Sequence, residues 1–436
     1  MRTWGPERPV YLWLLLATLV LNVISGTGSD ALGLPISPDR LTLAAGLGLL
    51  VLDPWAWRRT PLAVRPVHVA MVALVLLAAW SALSSGTLFT SLGLFALADR
   101  LVVPFLLFAI APLVFCTPHR RDLLLQTLTL LGLYLAVTAV LERAAPGLVR
   151  PQYIVDPSLG IQATRSRGPF LASEALGLVL TSCGFAAAFL ASRRAGLWRA
   201  LSVGTAVLCG VGVLLTLTRS VWLGAVVGVF VVCFQQRRLR RLLPLIVVGS
   251  TALVIGALVA IPSLQAAVTE RATTTRSLDD RRNVNAAALR IIEQEPLTGV
   301  GWVRFLDVSA DYVRQADTYP ITNTRIEVHN VPLGRAAELG IPGGLLWVLT
   351  AVLGPLTAVV QRVRASRPEE EDLIGWRLVL TGGAAAWFVA TLTSPVPYPL
   401  PNYLVFLLAG LVLAPHLTRG SPNGGPRAVA APRRAV

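Results

Sequence analysis

Long apolar runs recur along this chain and constrain its fold more than any other feature. Helices are predicted for them, because backbone groups in hydrocarbon must be hydrogen-bonded within their own segment. Several approach the length that spans about 30 Å of hydrocarbon. With 54% hydrophobic and 14% charged residues, the chain is predicted to be an all-α polytopic membrane protein. The predicted spans are about twelve: 10–25, 41–52, 67–83, 101–116, 123–141, 170–191, 200–216, 220–234, 242–261, 342–360, 378–393 and 403–416.

Arginine placement predicts the orientation of these spans. Every basic residue is arginine; the N-terminus, alternate loops and C-terminal tail carry 22 of the 38, and the short loops on the opposite side carry seven. Positive residues favour the cytoplasmic side. Both termini are therefore predicted to be cytoplasmic, with the long polar stretch 262–328 outside. The net charge of +15 is then a topology signal and does not indicate nucleic-acid binding.

This topology divides the chain into four segments. They are an N-terminal bundle of nine spans (1–261), a long outer loop containing short helices (262–328), the last three spans (329–417) and a cytoplasmic tail (418–436) predicted to be disordered from its composition. The first run, behind Arg2 and Arg8, also fits a signal peptide ending near Ser25. A poorly formed cleavage site favours a retained span.

Several chemistries are disfavoured by composition. The four cysteines lie in or beside spans and are predicted to be packing residues without metal-ligand spacing; they are Cys116, Cys183, Cys209 and Cys233. The chain has no lysine, so a phosphate-binding loop that requires lysine is absent from the sequence. No cofactor and no metal are expected.

The outer loop contains one clear predicted helix. Asp280 is predicted to cap a helix over 281–295 that Pro296 ends. Arg281 and Arg282 then fall in its first turn, where cations oppose the helix dipole unless an anion is near. Two alternatives follow for these arginines: they either bind such an anion or pair with Asp279 and Asp280. Four apolar residues recur at helical spacing: Val284, Ala288, Ile291 and Ile292.

Arginines on the outer side form a candidate anion site. Arg219 is the only charge between positions 202 and 234, and an ionisable residue at such a boundary usually faces a polar cavity or a partner. Snorkelling to lipid phosphate is the alternative. Arg165 and Arg167 lie on the same predicted side. Guanidinium groups bind phosphate oxygens in pairs, so the cluster suits a diphosphate.

His329 is the candidate general base. Of four histidines it alone lies on the predicted outer side, where the long loop rejoins the membrane. An imidazole with an ordinary pKa near 6.5 accepts a proton from a sugar hydroxyl at neutral pH. Glu338 follows, and it either orients His329 or pairs with Arg335.

The ordered set of these segments resembles the O-antigen ligase and polymerase superfamily of bacterial membrane proteins. The segments are RGPF at 167–170, LTRS at 217–220, Arg282 followed by PLTGVG at 296–301, and His329-Asn330 followed by ELGIPG at 338–343. The resemblance covers about 167–346 in motifs and the whole chain in topology. Two departures are Glu174, where the family often has Asn, and Thr218, where it has Ser before the arginine.

The resemblance implies a GT-C-like glycosyltransferase acting on lipid-linked glycans. Such an enzyme moves a glycan from undecaprenyl diphosphate to an acceptor hydroxyl on the periplasmic side of the bacterial cytoplasmic membrane, without nucleotide or metal. By that resemblance His329 activates the acceptor, and Arg219 and Arg282 bind the diphosphate, with Arg281 as the alternative to Arg282. The further substrate-binding candidates are Arg165, Arg167, Arg281, Asn330, Arg335 and Glu338.

Within the superfamily an O-antigen ligase is favoured. One long outer loop before the last three spans suits a ligase with lipid A core or a related surface glycolipid as acceptor, whereas a polymerase often has two such loops. The shorter outer segment 142–169 keeps the polymerase open. A flippase or transporter of the lipid-linked glycan is an alternative from another class. It would need no outer histidine, and internal repeats, which would support it, are not evident.

Overall fold

The computed structural model describes residues 9–414 apart from 35, 61, 162–163, 261–275, 315–325 and 362–367. The helices are α1 Val10–Leu21, α2 Thr27–Ala31, α3 Pro38–Val51, α4 Pro54–Arg59, α5 Pro66–Ser84, α6 Ser91–Leu97, α7 Val103–Val114, α8 Pro118–Ala144, α9 Ser173–Arg193, α10 Gly196–Leu215, α11 Arg219–Gln235, α12 Arg237–Ala260, α13 Arg276–Gln294, α14 Phe305–Tyr312, α15 Val331–Ala351, α16 Thr357–Val360, α17 Pro368–Thr393 and α18 Pro399–Val412. A π-helical turn, Ala98–Val102, joins α6 to α7, and another, Val352–Leu356, joins α15 to α16.

The helices confirm the prediction of an all-α polytopic membrane protein. Within the described part of the chain, seven helical segments are long and apolar enough to cross a membrane: Pro66–Ser84, Ser91–Val114, Pro118–Ala144, Ser173–Arg193, Gly196–Leu215, Val331–Val360 and Glu371–Thr393. Shorter apolar helices are Val10–Ile24, Arg219–Gln235 and Pro399–Val412. The other two predicted spans fall on α3 and α12. The number of crossings, twelve, stays a prediction, and the predicted tail 418–436 lies outside the described residues.

Helix α9 lies at the centre of the bundle, packed against α8, α10 and α17. Glycines allow close approach where α11 meets α17: a Cβ built on Gly228 would lie 2.8 Å from the carbonyl oxygen of Gly382. Close packing of small residues stabilises helix pairs in lipid, because apolar burial alone provides little driving force there. All four cysteines are free thiols, and three are buried.

One end of the bundle, the arginine end, is held by carboxylates shared between helices. Asp372 on α17 pairs with Arg121 on α8, 2.5 Å away, and with Arg193 at the end of α9. Asp122 on α8 pairs with Arg194. Three of the arginines that the sequence assigned to one side of the membrane, Arg121, Arg193 and Arg194, therefore lie at the same end of the bundle.

The opposite end of the bundle is called the site end. Helices α9, α11 and α15 begin there. There the segment after α13 interlocks with α15. The backbone N–H groups of Val300 and Gly301 donate to the carbonyls of Ala337 and Glu338, 3.0 Å away in both cases. Gly340 has φ +73°, which breaks α15, and the next N–H donates to Pro296. Backbone hydrogen bonds thus join the motif at 296–301 to the segment around the motif at 338–343.

Helix α13 is longer than predicted. It already includes Arg276, so Asp280 lies inside the helix and is not its cap, and Arg281 and Arg282 are not in a first turn. The apolar periodicity is confirmed: Val284, Ala288 and Ile291 are fully buried against Phe305 and neighbouring residues. Helix α15 also begins earlier than the predicted span at 342, because Asn330 caps a short helical segment before the break at Gly340.

Candidate active site

His329 lies at the site end, two residues before α15 begins. Its Nδ1 atom is 2.8 Å from the backbone carbonyl oxygen of Glu327. A carbonyl only accepts, so the imidazole Nδ1–H is the donor and the neutral ring keeps a lone pair on Nε2. Burial, and then the positive charge of Arg281, lower the pKa of His329 below its ordinary value. The ring is therefore neutral and basic at Nε2 near neutral pH.

Helix α13 presents its two consecutive arginines differently. Arg281 is half-buried and close enough to influence both His329 and Glu174. The Arg282 side chain is 64% exposed, and its Nη1 lies 3.7 Å from Asp279 Oδ1. The geometry therefore favours Arg281 over Arg282 as the guanidinium that serves the site, which was the alternative in the sequence prediction.

Glu174 brings a buried carboxylate from the first turn of α9. Its side chain is 9% exposed, accepts a hydrogen bond from Ser394 after α17 and faces Arg281. Tyr398 lies beside it; burial and the charges of Glu174 and Glu327 raise the pKa of its phenol. Residues from α9, from α13 and from the segment after α17 thus form one cluster of acidic, basic and neutral polar side chains.

Arg219 begins α11 at the same end of the bundle. Thr218, the residue before it, shares a hydrogen bond of 3.0 Å with Ser173 Oγ, and Ser173 directly precedes Glu174. The Arg219 side chain itself is exposed. The first turns of α9 and α11, which carry Glu174 and Arg219, are therefore neighbours, and the placement of Arg219 at the outer membrane boundary stays a prediction.

Three predicted binding residues lie behind His329. Asn330 caps α15, accepting the N–H of Leu333 at 3.0 Å. Arg335 Nη1 donates to Glu338 Oε2 at 2.5 Å, and both side chains are buried. Of the two alternatives for Glu338, the structure shows pairing with Arg335. These contacts stabilise the start of α15, which directly follows His329.

The remaining two predicted arginines lie in the segment between α8 and α9. Arg165 is half-buried there. Arg167 is buried, and its guanidinium donates to the backbone carbonyls of Ile154, Asp156 and Leu159. These hydrogen bonds hold the loop together, and a role of Arg167 in binding substrate stays a prediction.

Sequence reasoning missed several members of the cluster. Glu174 was noted only as a departure from the family, and Ser394, Tyr398, Glu327 and Arg100 were not singled out. A carboxylate at the start of an apolar helix is a signal for Glu174, since ionisable residues in spans mark functional sites. Arg100 carried a similar signal, because it directly precedes the fourth predicted span, 101–116.

The fold and the cluster define a polytopic α-helical membrane protein with a histidine, arginine and carboxylate site at one end of its bundle. Residues 204–348 match the protein-family model described as O-antigen ligase. This segment contains Arg219, Arg281, Arg282 and His329, and the match supports the resemblance to the O-antigen ligase superfamily that the motifs carry. No curated protein matches the chain.

Proposed function

We propose that this chain is a GT-C-like glycosyltransferase of the O-antigen ligase type. It moves a glycan from undecaprenyl diphosphate to a hydroxyl of lipid A core or a related surface glycolipid, without metal. The observation that carries the proposal is the contact between His329 Nδ1 and the Glu327 carbonyl, which leaves a basic nitrogen beside Arg281 within the segment that matches O-antigen ligase.

The proposed reaction is a single displacement at the anomeric carbon of the donor. The acceptor oxygen attacks that carbon while its proton passes to His329 Nε2, and the bond from the anomeric carbon to the diphosphate oxygen breaks. The lipid diphosphate leaves with the bonding electron pair. Fixed guanidinium groups stabilise such growing charge, and Arg281 and Arg219 are the proposed donors of that stabilisation.

An apolar groove supports a lipid-linked donor. It has a volume of about 500 Å³ and lies between α9, α10, α11 and α12, with Phe185, Val213, Trp222 and Ile246 among its lining residues. Trp222 is one helical turn from Thr218, whose carbonyl accepts its N–H at 3.0 Å. A lipid chain in the groove would place its diphosphate near Arg219, because the lining residue Trp222 lies about one helical turn from Arg219.

The arginine end is proposed to face the cytoplasm, and the site end the periplasm. Arg121, Arg193 and Arg194 at the arginine end agree with the preference of positive residues for the cytoplasmic side. In this orientation both termini are cytoplasmic. The lipid-linked glycan then meets its acceptor at the outer surface of the cytoplasmic membrane.

The test is transfer in liposomes that contain purified protein, undecaprenyl-diphosphate glycan and lipid A core, with products identified by mass spectrometry. We expect the acceptor to gain the mass of the glycan. His329→Gln should lose about 10²- to 10⁴-fold in rate, the usual contribution of a general base, whereas His119→Gln at the arginine end should stay within about twofold.

Three other results would contradict the proposal in different ways. A lengthened glycan on the lipid carrier would indicate a polymerase. Movement of intact lipid-linked glycan between leaflets, without a product, would indicate a transporter. Transfer by His329→Gln at the wild-type rate would assign the base to another residue.

A further inference from the structure

Two ion pairs, one partly buried and one buried, lie behind His329 and connect its loop to the membrane bundle. Arg100 Nη2 is 2.7 Å from Glu327 Oε1, and the Arg100 side chain is only 12% exposed. Arg335 pairs with Glu338, and its guanidinium carbon lies 4.6 Å from the centre of the Trp302 ring. A small cavity of about 50 Å³ is lined by both pairs. The loop carrying the histidine is thus tied to charges within the bundle.

Arg100 is held on the π-helical turn Ala98–Val102. The preceding residue, Asp99, pairs with Arg40 at 3.0 Å and accepts the hydroxyl of Tyr403 at 2.8 Å. These contacts anchor the turn to α3 and α18. π-Helical turns often occur at functional sites. The turn therefore fixes where the Arg100 guanidinium points.

Glu327 links Arg100 to the histidine through one residue. Its carboxylate binds Arg100, and its backbone carbonyl accepts Nδ1–H of His329. Rotation of the Glu327 peptide would remove the acceptor and release the imidazole to the other tautomer. A partner that fixes the tautomer sets which nitrogen is basic.

We propose that Arg100 is a positioning residue for His329, holding Glu327 so that its carbonyl fixes the Nδ1–H tautomer and leaves Nε2 as the base. Only the catalytic consequence of this inference rests on the proposed function. The tautomer and the ion pair are properties of the molecule without substrate.

The charges around His329 predict the direction in which its pKa changes when Arg100 or Glu327 is replaced. Arg281 and Asp280 face it from α13, and Glu327 faces it from its own segment. Arg100 and Arg335 in turn offset the charge of Glu327. Removing Arg100 leaves the Glu327 carboxylate offset by Arg335 alone, which favours the imidazolium and raises the pKa of His329. Removing the Glu327 charge lowers it.

The first test is nitrogen NMR of protein labelled with ¹⁵N-histidine, in detergent, with the His329 signal assigned by its loss in His329→Gln. Wild type should show protonated Nδ1 and a lone pair on Nε2. Arg100→Gln should show mixed tautomers and a raised pKa, Glu327→Gln a lowered pKa, and the double variant a value near wild type. Arg194→Gln, which breaks the ion pair with Asp122 at the arginine end, is the matched control and should leave both the tautomer and the pKa unchanged.

The second test is kinetic. Arg100→Gln should lower kcat about 10- to 100-fold with little change in the donor KM, because misplacing a catalytic group by about 1 Å has effects of that size. Arg100→Lys keeps the charge and should recover part of the rate. If Arg100→Gln does not fold, Arg100→Lys and Glu327→Gln carry the test.

A protonated Nε2 in wild type would overturn the inference, as would pKa shifts of the same sign in Arg100→Gln and Glu327→Gln. A wild-type protein that transfers no glycan refutes the proposed function instead. The NMR result then still decides the role of Arg100 in fixing the tautomer.

Discussion

The indole Nε1 of Trp302 donates a hydrogen bond to the backbone carbonyl of Gly93, 3.1 Å away, although the two residues are 209 positions apart in the chain. The Trp302 N–H also donates to Ser81 Oγ at 3.1 Å, and the side chain is fully buried. Trp302 follows the turn that contacts α15. It therefore attaches the segment after α13, which contacts α15, to α5 and α6 in the first part of the membrane bundle.

Replacing Trp302 should loosen this attachment. Trp302→Ala is expected to lower the free energy of unfolding by about 3–5 kcal/mol, the usual cost of emptying such a site. Trp302→Phe keeps most of the volume and loses one hydrogen bond, about 1 kcal/mol. Thermal unfolding in detergent, followed by circular dichroism, measures both. Equal losses for the two variants would contradict a packing role.

Gly340 should tolerate no side chain. Its φ is +73°, and an added Cβ would lie 2.3 Å from the carbonyl oxygen of Leu297. Gly340→Ala is expected to cost at least about 2 kcal/mol, from backbone strain and this contact. Gly204→Ala is the control, because that exposed position in α10 has no neighbour within 4 Å. Chemical unfolding of the two variants in detergent should separate them clearly; similar midpoints would show that the break in α15 relaxes.

The sequence predicted the helices well because each apolar run had to become one. It predicted the wrong start for α13, since Asp280 fits a cap as well as an internal position, and that error placed Arg281 and Arg282 in equivalent surroundings. The contact between Arg100 and Glu327 joins residues 227 positions apart. No local pattern encodes such a pairing, so this part of the site required the structure.

The two arginines of α13 should now be separable by mutation. Arg281→Gln is expected to lower kcat about 10²- to 10³-fold, the range for removing a group that stabilises charge in the transition state. Arg282→Gln should have a much smaller effect, because its side chain is 64% exposed and paired with Asp279. Steady-state transfer kinetics with each variant, and with the lysine replacements, provide the comparison. A larger loss for Arg282→Gln would restore the assignment made from sequence.

The pH dependence of transfer should report the environment of His329. Burial and Arg281 lower its pKa, and only the neutral ring accepts the acceptor proton. The rate should therefore fall on acidification with a midpoint below about 6.5, the ordinary value for histidine.

The variant Arg281→Gln tests the direction in which the pH profile moves. Removing a positive charge beside the ring favours the imidazolium, so the acidic limb of the remaining activity should move to higher pH. The measurement is kcat/KM for the acceptor across about pH 5 to 8, with saturating donor. A limb that moves to lower pH in Arg281→Gln would show that this guanidinium does not act on His329, because loss of a nearby cation always raises the pKa of a base that it repels.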